Sequence, residues 1–298
     1  ADLPTQRQAR VSIVCATTAP ATPVGGAVVA LYSVTVPSSA TTLAGLTATP
    51  QNAFYPTIPE LMRGRLLRTI KIISSQNYTP SRWAKTLVVE MVGGGGSGAG
   101  APAVNTGSNY VSCGSPGAAG AYAKFDIDLT SLATSAIPLT IGAAGVGAVG
   151  GMGSAGGNTS FGAYVTCGGG GAGQTISAAP GISAWGGAAS GGVVSGAGAS
   201  AITMIESYKG SDGWAPVILC GLNGNAPTTG VPFPIPGSPS RFGAGGYPGN
   251  VVNANAVIES AASRGSYGAG GGGSGSTGTG TTTGANGSPG VIIIREYS

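Results

Sequence analysis

The sequence predicts a mainly β protein in two parts: a small N-terminal α+β region over residues 1–85 and a β-sandwich-like, glycine-rich domain over residues 86–298. Three observations carry that prediction. Glycine supplies 57 of the 298 residues, and 53 of them lie at or after Gly93. This is more than twice the usual share of glycine in a folded domain. The charge changes at nearly the same place. Residues 1–85 hold eight Lys/Arg against Asp2 and Glu60, whereas residues 86–298 hold five against seven acidic residues. Finally, apolar runs of strand length recur along the chain and are bounded by glycine-rich sequence.

In the N-terminal part, Val11–Cys15, Ala27–Val36 and Arg68–Ser74 are strand candidates. Arg7 and Arg10 ahead of Val11–Ala16 faintly resemble a signal peptide, but the strand reading is better. Pro20, Pro23, Gly25 and Gly26 interrupt Val11–Val36, so it makes no clean membrane span and no membrane insertion is expected. A helix is expected over Ile58–Leu67, capped by Thr57, with Pro59 in its first turn and Glu60 at its positive end. Gly64 weakens its middle. Pro80 and the polar stretch 74–81 form a turn.

From Trp83 the texture changes. Lys85–Val92 is a strong strand that runs straight into Gly93–Gly96. Ala121–Leu129 and Ile137–Ile141 are expected as a strand pair. In the first, Tyr122, Lys124, Asp126 and Asp128 alternate with Ala123, Phe125 and Ile127, which predicts one buried and one wet face. Ser160–Cys167, Val217–Cys220 and Val291–Tyr297 complete the strand candidates. Cys15, Cys113, Cys167 and Cys220 are far apart and form no C-x-x-C pair. Three of them end apolar runs, which favours buried free thiols over disulfides.

Ordering so many glycines costs roughly 0.5–1 kcal/mol each in backbone entropy, so their missing side chains must allow close packing. Two arrangements do that: tight turns at the tip of a sandwich, or polyproline II segments with three residues per turn, whose backbones exchange hydrogen bonds. Glycines recur at spacing three at 114/117/120, 147/150/153/156, 243/246/249, 265/268/271, 272/275/278 and 284/287/290. That is somewhat more often than their density gives by chance. The register is too broken for collagen, and the strong strands argue against a flexible linker.

The chain has no histidine, which removes Ser-His-Asp and Cys-His catalysis and the histidine-bearing metal sites. Gly145–Gly150 fits G-x-G-x-x-G, but no helix can open after it and no acidic ribose partner follows at the required distance. No phosphate-binding G-x-x-x-x-G-K-[ST] occurs. The sequence has only nine carboxylates, and a glycosidase pair would have to be assembled by folding. The expectation is therefore no enzyme and no cofactor or metal. The basic N-terminal part has scattered charges with few aromatics, so nucleic acid is not expected as a partner.

The run Tyr78–Gly100 resembles the entry into the glycine-rich domain of bacteriophage tail-fibre proteins, where an apolar strand opens into polyglycine. Gly120–Leu129, Ile137–Gly145, Gly157–Gly162 and the ending Gly287–Tyr297 are similar to that family and keep its order. The resemblance spans about residues 78–298. It implies a virion protein of the tail fibre or tail tip, an adhesin that binds the host surface. It also implies a scaffold of polyglycine II segments whose loops touch the receptor. A glycine-rich domain of some animal receptor kinases is built likewise. By position, residues 1–85 would attach to other tail proteins, and fibre proteins are commonly homotrimers. The receptor would be a bacterial surface glycan or outer-membrane protein. On such a scaffold, recognition belongs to the loops that break the glycine pattern: Asn105–Ser115, Gln174–Ser200, Glu206–Ala215 and Asn223–Asn255. Their aromatics Tyr110, Trp185, Tyr208, Trp214, Phe233, Phe242 and Tyr247 are the candidate receptor-binding residues. The stiff run Val231–Pro236 lowers the ordering cost of binding. Trp83, at the junction of the two parts, reads as structural.

Overall fold

The computed structural model describes residues 64–104, 111–131, 136–178, 190–196, 201–219, 231–249, 267–277 and 279–298, with strand backbone also at 32–35, 47–50, 184–185, 222–223, 226–227 and 251–252. The chain divides into two compact units, Ala1–Leu61 and Met62–Ser298. Among the described residues there is no helix, and the protein is mainly β.

In the first unit, β1 (Tyr32–Thr35) runs antiparallel to β2 (Thr47–Pro50), and β1 falls inside the strand expected over Ala27–Val36. The strand expected at Val11–Cys15 lies outside the described residues, as does most of the helix expected over Ile58–Leu67. At the end of that range the expectation is corrected. Leu66 and Leu67 already belong to a strand, which follows a turn at Gly64.

The second unit opens with β3 (Leu66–Ile72), β4 (Gln76–Tyr78) and β5 (Thr86–Val92). β6 (Val111–Gly114), β7 (Tyr122–Asp128), β8 (Ile137–Thr140), β9 (Thr159–Phe161) and β10 (Val165–Cys167) follow. The middle of the unit carries β11 (Thr175–Ala178), β12 (Ala184–Trp185), β13 (Val194–Gly196), β14 (Ile202–Tyr208) and β15 (Val217–Leu219). Its last part holds β16 (Leu222–Asn223), β17 (Ala226–Pro227), β18 (Val231–Phe233), β19 (Val251–Val252), β20 (Gly275–Ser276) and β21 (Val291–Tyr297).

Two five-stranded antiparallel sheets, ordered β14-β7-β5-β21-β3 and β13-β10-β9-β8-β4, share one core. β3 and β4 lie before residue 85 and are members of these sheets. Strict alternation sends Leu87, Val89, Met91, Phe125, Ile127, Ile292 and Ile294 inward from the first sheet. Leu139, Phe161 and Val165 meet them from the second. Phe125 and Phe161 stand edge to face across the core, ring centres 5.7 Å apart. Burying each such side chain contributes about 1.5–3 kcal/mol. β7 and β8 do not form the pair expected from sequence. They lie in different sheets, so their apolar faces meet across the core instead of side by side. The single strand expected at Ser160–Cys167 is a hairpin, because Gly162 takes a left-handed φ of 55° and reverses the chain. Smaller sheets, β11-β6-β20-β19 and β12-β15-β18, lie beyond the glycine segments around a minor core of Val111, Cys113 and Ile218. β16 and β17 form a separate antiparallel pair.

One carboxylate enters the main core. Alternation along β21 turns Glu296 inward with Ile292 and Ile294, and it is fully buried. Its Oε1 accepts from Arg68 Nη2 at 2.6 Å and from the Tyr78 hydroxyl at 2.6 Å, and its Oε2 accepts from the Ser81 hydroxyl. Burial by itself raises the carboxyl pKa. The three donors and the Arg68 charge together outweigh it and hold Glu296 below the ordinary glutamate range.

Between the two-sheet core and the smaller sheets, the glycine segments bond to one another with a period of three. Along residues 93–101, Gly93, Gly96 and Ala99 donate to Ala121, Ala118 and Ser115. Gly94, Ser97 and Gly100 donate to Gly157, Ser154 and Gly151, while Gly95 and Gly98 donate to Ser288 and Ala285. Ala101 N completes this third row on the Thr282 hydroxyl at 2.8 Å. One segment thus serves three neighbours, each through every third N–H, and three is the number of residues per turn of polyproline II. The next segment repeats the pattern: Gly114, Gly117 and Gly120 donate to Ser274, Gly271 and Gly268, and Ser115, Ala118 and Ala121 to Gln174, Gly171 and Gly168. A Cβ on Gly95 or Gly98 would come within 3.0 Å of backbone atoms of the neighbouring segment, so the spacing itself requires glycine.

Candidate binding surface

Glycine segments bonded on all sides leave few places for large side chains, and several of the aromatics picked out from sequence are displaced outward. Trp214 is 71% exposed, on the segment leading into β15, and Tyr247 is 75% exposed. The backbone at Tyr247 packs so closely on Gly272 that a Cβ there would strike the Tyr247 carbonyl. Its main chain is held while its ring is free. Phe233 is 47% exposed at the end of β18, and its carbonyl receives the Cys113 thiol at 3.7 Å. Tyr110 lies outside the described residues. Trp185 lies in β12, opposite Val217 of β15, and its side chain is outside the described residues.

Tyr208 and Phe242 come together around a residue the sequence reading assigned elsewhere. Tyr122, expected on the wet face of its strand, is only 4% exposed. The Tyr208 ring stacks beside it with centres 6.1 Å apart, and the Phe242 ring meets it edge-on at 5.9 Å. The Arg241 guanidinium lies 5.8 Å from the Tyr122 ring centre. This cover explains the correction: the outward face of β7 is wet along the strand but roofed at its glycine end. Burial first, then the nearby Glu90 and Glu206 carboxylates, push the Tyr122 hydroxyl up to about 12. It therefore remains protonated at neutral pH and points a hydroxyl at Glu90 Oε2, 3.3 Å away. Glu90 is itself paired with Arg295 at 2.5 Å.

Tyr122 and Tyr208 border a depression of about 310 Å³ that is also lined by Lys209, Ser211, Ser240 and Arg241. Two anchored loops supply those residues. In the first, Lys209 Nζ pairs with Asp212 at 2.7 Å, and Asp212 accepts the Gly191 N–H at 2.6 Å. That backbone bond, followed by the lysine contact, lowers the Asp212 carboxyl. Ser211 O accepts from Ala119 N in the glycine network. In the second loop, Ser240 N bonds Gly243 O, and the Ser240 hydroxyl receives Phe242 N and donates to Tyr267 O. The arrangement offers an aromatic platform, hydroxyls and a cation, held on fixed backbone.

A second depression, of about 570 Å³, opens at the other end of the same sheet and is lined by Lys85, Thr86, Val88, Asp128, Thr130 and Tyr297. Among the described residues no group of three or more metal-ligating side chains occurs. No helix among them is long and apolar enough to cross a membrane. Cys113 and Cys167 are buried free thiols, each pushed up to about 12 by burial, while Cys15 and Cys220 lie outside the described residues. Trp83 is exposed and lies beneath the Arg82 guanidinium.

Several of the loops expected to carry recognition contain strands. β6 lies within Asn105–Ser115 and is completely buried, β11 to β13 lie within Gln174–Ser200, and β14 extends through Tyr208. The signal for β14 was available in Ile202 and Met204, which alternate toward the core. A bulge between Met204 and Glu206 breaks that alternation. The model of the glycine-rich domain family matches residues 71–297. Comparison with curated proteins gives no match.

Proposed function

The chain belongs to the glycine-rich domain family, and we propose that it is a bacteriophage tail-fibre or tail-tip protein that recognises the host cell surface. In this reading the glycine segments are polyglycine II helices, which the period-three donors of residues 93–101 support. They form a rigid frame from which loops contact a bacterial glycan or outer-membrane protein. The N-terminal residues, 1–85, attach to other tail proteins, and the assembly is a homotrimer within the virion tail.

The observation that carries the proposal is the exposure of Trp214, Tyr247, Tyr208 and Phe233. Aromatics make up only 6% of this chain, and large rings left in water on an ordered backbone are the usual composition of a recognition surface. The test is binding of the fluorescently labelled protein to a panel of intact bacteria. The expected result is retention after washing on a narrow set of strains, lost in Trp214→Ala or Tyr247→Ala without change in thermal unfolding. A second reading, a purely structural tail component, is favoured by the exposed Leu66, Leu67 and Ile73 at edge strand β3, a place where another chain can add. No retention on any strain by the folded protein would replace the adhesin reading with this one.

A further inference from the structure

The depression between Tyr208 and Arg241 carries chemistry that a greasy protein contact does not need. Its floor is apolar and aromatic, because buried Tyr122 packs against Tyr208 and Phe242. Its rim is polar, with the hydroxyls of Ser211 and Ser240 and the cations of Lys209 and Arg241. Two of the cations around it already have carboxylate partners: Lys209 is paired with Asp212 and Arg295 with Glu90. Among the described residues Arg241 has no carboxylate within ion-pair distance, and its neighbours are the ring and the hydroxyl of Tyr122. A guanidinium at the rim of the depression that the exposed Tyr208 ring also lines, on a turn held by the Ser240 hydroxyl, presents a planar fork matched to a carboxylate or phosphate. An exposed tyrosine face matches the apolar face of a sugar.

We propose that this depression binds an anionic saccharide, with a sugar ring packed on Tyr208 and its carboxylate or phosphate held by the Arg241 guanidinium. The proposal rests on the adhesin reading and specifies its ligand class. Ser211 then serves a ring hydroxyl, Ser240 holds the turn that carries Arg241, and Tyr122 serves as the fixed backing of the platform. Lys209, already engaged with Asp212, contributes to the local potential more than to direct contact. The volume, about 310 Å³, lies at the small end of ligand sites and suits one sugar residue of a longer chain.

The test is saturation-transfer NMR on the full chain with three probes: glucuronic acid, glucose 6-phosphate and glucose. Transfer to at least one acidic probe, about tenfold stronger than to glucose, is expected. Transfer to glucuronic acid alone assigns a carboxylate sugar, and transfer to glucose 6-phosphate alone assigns a phosphorylated one. Arg241→Gln is expected to remove the preference for the acidic probe, and Arg241→Lys to restore part of it. Tyr208→Ala is expected to weaken the acidic probe's signal with the thermal transition unchanged. Equal transfer to all three probes, no transfer to any, or an unaltered preference in Arg241→Gln would overturn the proposal. Cell binding separates it from the broader reading. Unchanged retention on bacteria with no probe bound removes this site alone. Probe binding without retention on any strain keeps the site and removes the adhesin.

Discussion

In the paired sheets, Leu87, Val89, Phe125 and Phe161 are buried while every second residue turns outward, so cohesion comes from side chains. From Gly93 to Gly100 the N–H groups donate to backbone carbonyls, shared among three segments in turn. The first region tolerates changes of side chain that preserve volume. The second has no side chain larger than that of Ser97, and its glycines have no room for one. This difference explains how a chain with so little charge and so few large residues stays folded. It satisfies backbone groups where other domains bury apolar area.

The two regions should therefore fail differently. The largest effect is expected from Gly95→Ala, whose new Cβ would lie inside 3.0 Å of the Ala269 and Gly268 backbone. A backbone cannot yield as a side-chain tip does, so the variant should lose about 5 kcal/mol or more and show no cooperative thermal transition. Gly151→Ala is the matched control. The nearest atom to its added Cβ is the Val149 carbonyl oxygen at 3.9 Å, and its stability should stay within about 0.5 kcal/mol of the parent. Equal behaviour of the two variants in chemical denaturation would break the comparison.

Next in size is Phe161→Ala, which removes a ring packed against Phe125 and Tyr78. A loss of about 3–4 kcal/mol is expected, with a cooperative transition retained because the fold survives a cavity. Retention of cooperativity here, set against its loss in Gly95→Ala, sharpens the distinction between the two regions.

A smaller and pH-dependent effect belongs to Glu296. Its carboxyl is held below its ordinary range in the folded protein. Its ionised form therefore contributes stability above the unfolded glutamate pKa, and the contribution is lost as pH falls through the folded value. Glu296→Gln should cost about 1–3 kcal/mol at neutral pH, moderated by the half-exposed Arg68. The gap to the parent should close on acidification. A gap constant from pH 7 down to pH 3, measured by urea unfolding, would contradict the assignment.

Much of the core was legible before the structure. The alternation of Ala123, Phe125 and Ile127 marked β7, and Lys85–Val92 and Val291–Tyr297 marked the two strands that lie between β7 and β3 in the first sheet. The inward turn of Glu296 follows from the same alternation, but its partners Arg68, Tyr78 and Ser81 are more than two hundred residues away in sequence. What sequence could not supply was pairing made by backbone alone. β6, Val111-Ser-Cys-Gly114, has no alternation to read, and its neighbours β11 and β20 are fixed by ladders. Gly162 falls inside the single strand expected at Ser160–Cys167, and no local signal marked the reversal it makes. In the candidate surface, Tyr208 and Phe242 were found through their loops. Tyr122 was misplaced because its burial depends on two segments, 206–212 and 238–243, that fold over the end of β7.

The measurement that bears most directly on a rigid glycine frame is amide hydrogen exchange, resolved to single residues, across β5 and the segment that continues it. If the frame is as ordered as the sheets, Gly94, Gly96 and Gly98 will be protected to the same order as Leu87 and Val89, because each donates to a neighbouring backbone carbonyl. Exchange of those glycine amides at the rate of an unfolded chain, with β5 still protected, would contradict the account and return the glycine segments to the status of linkers.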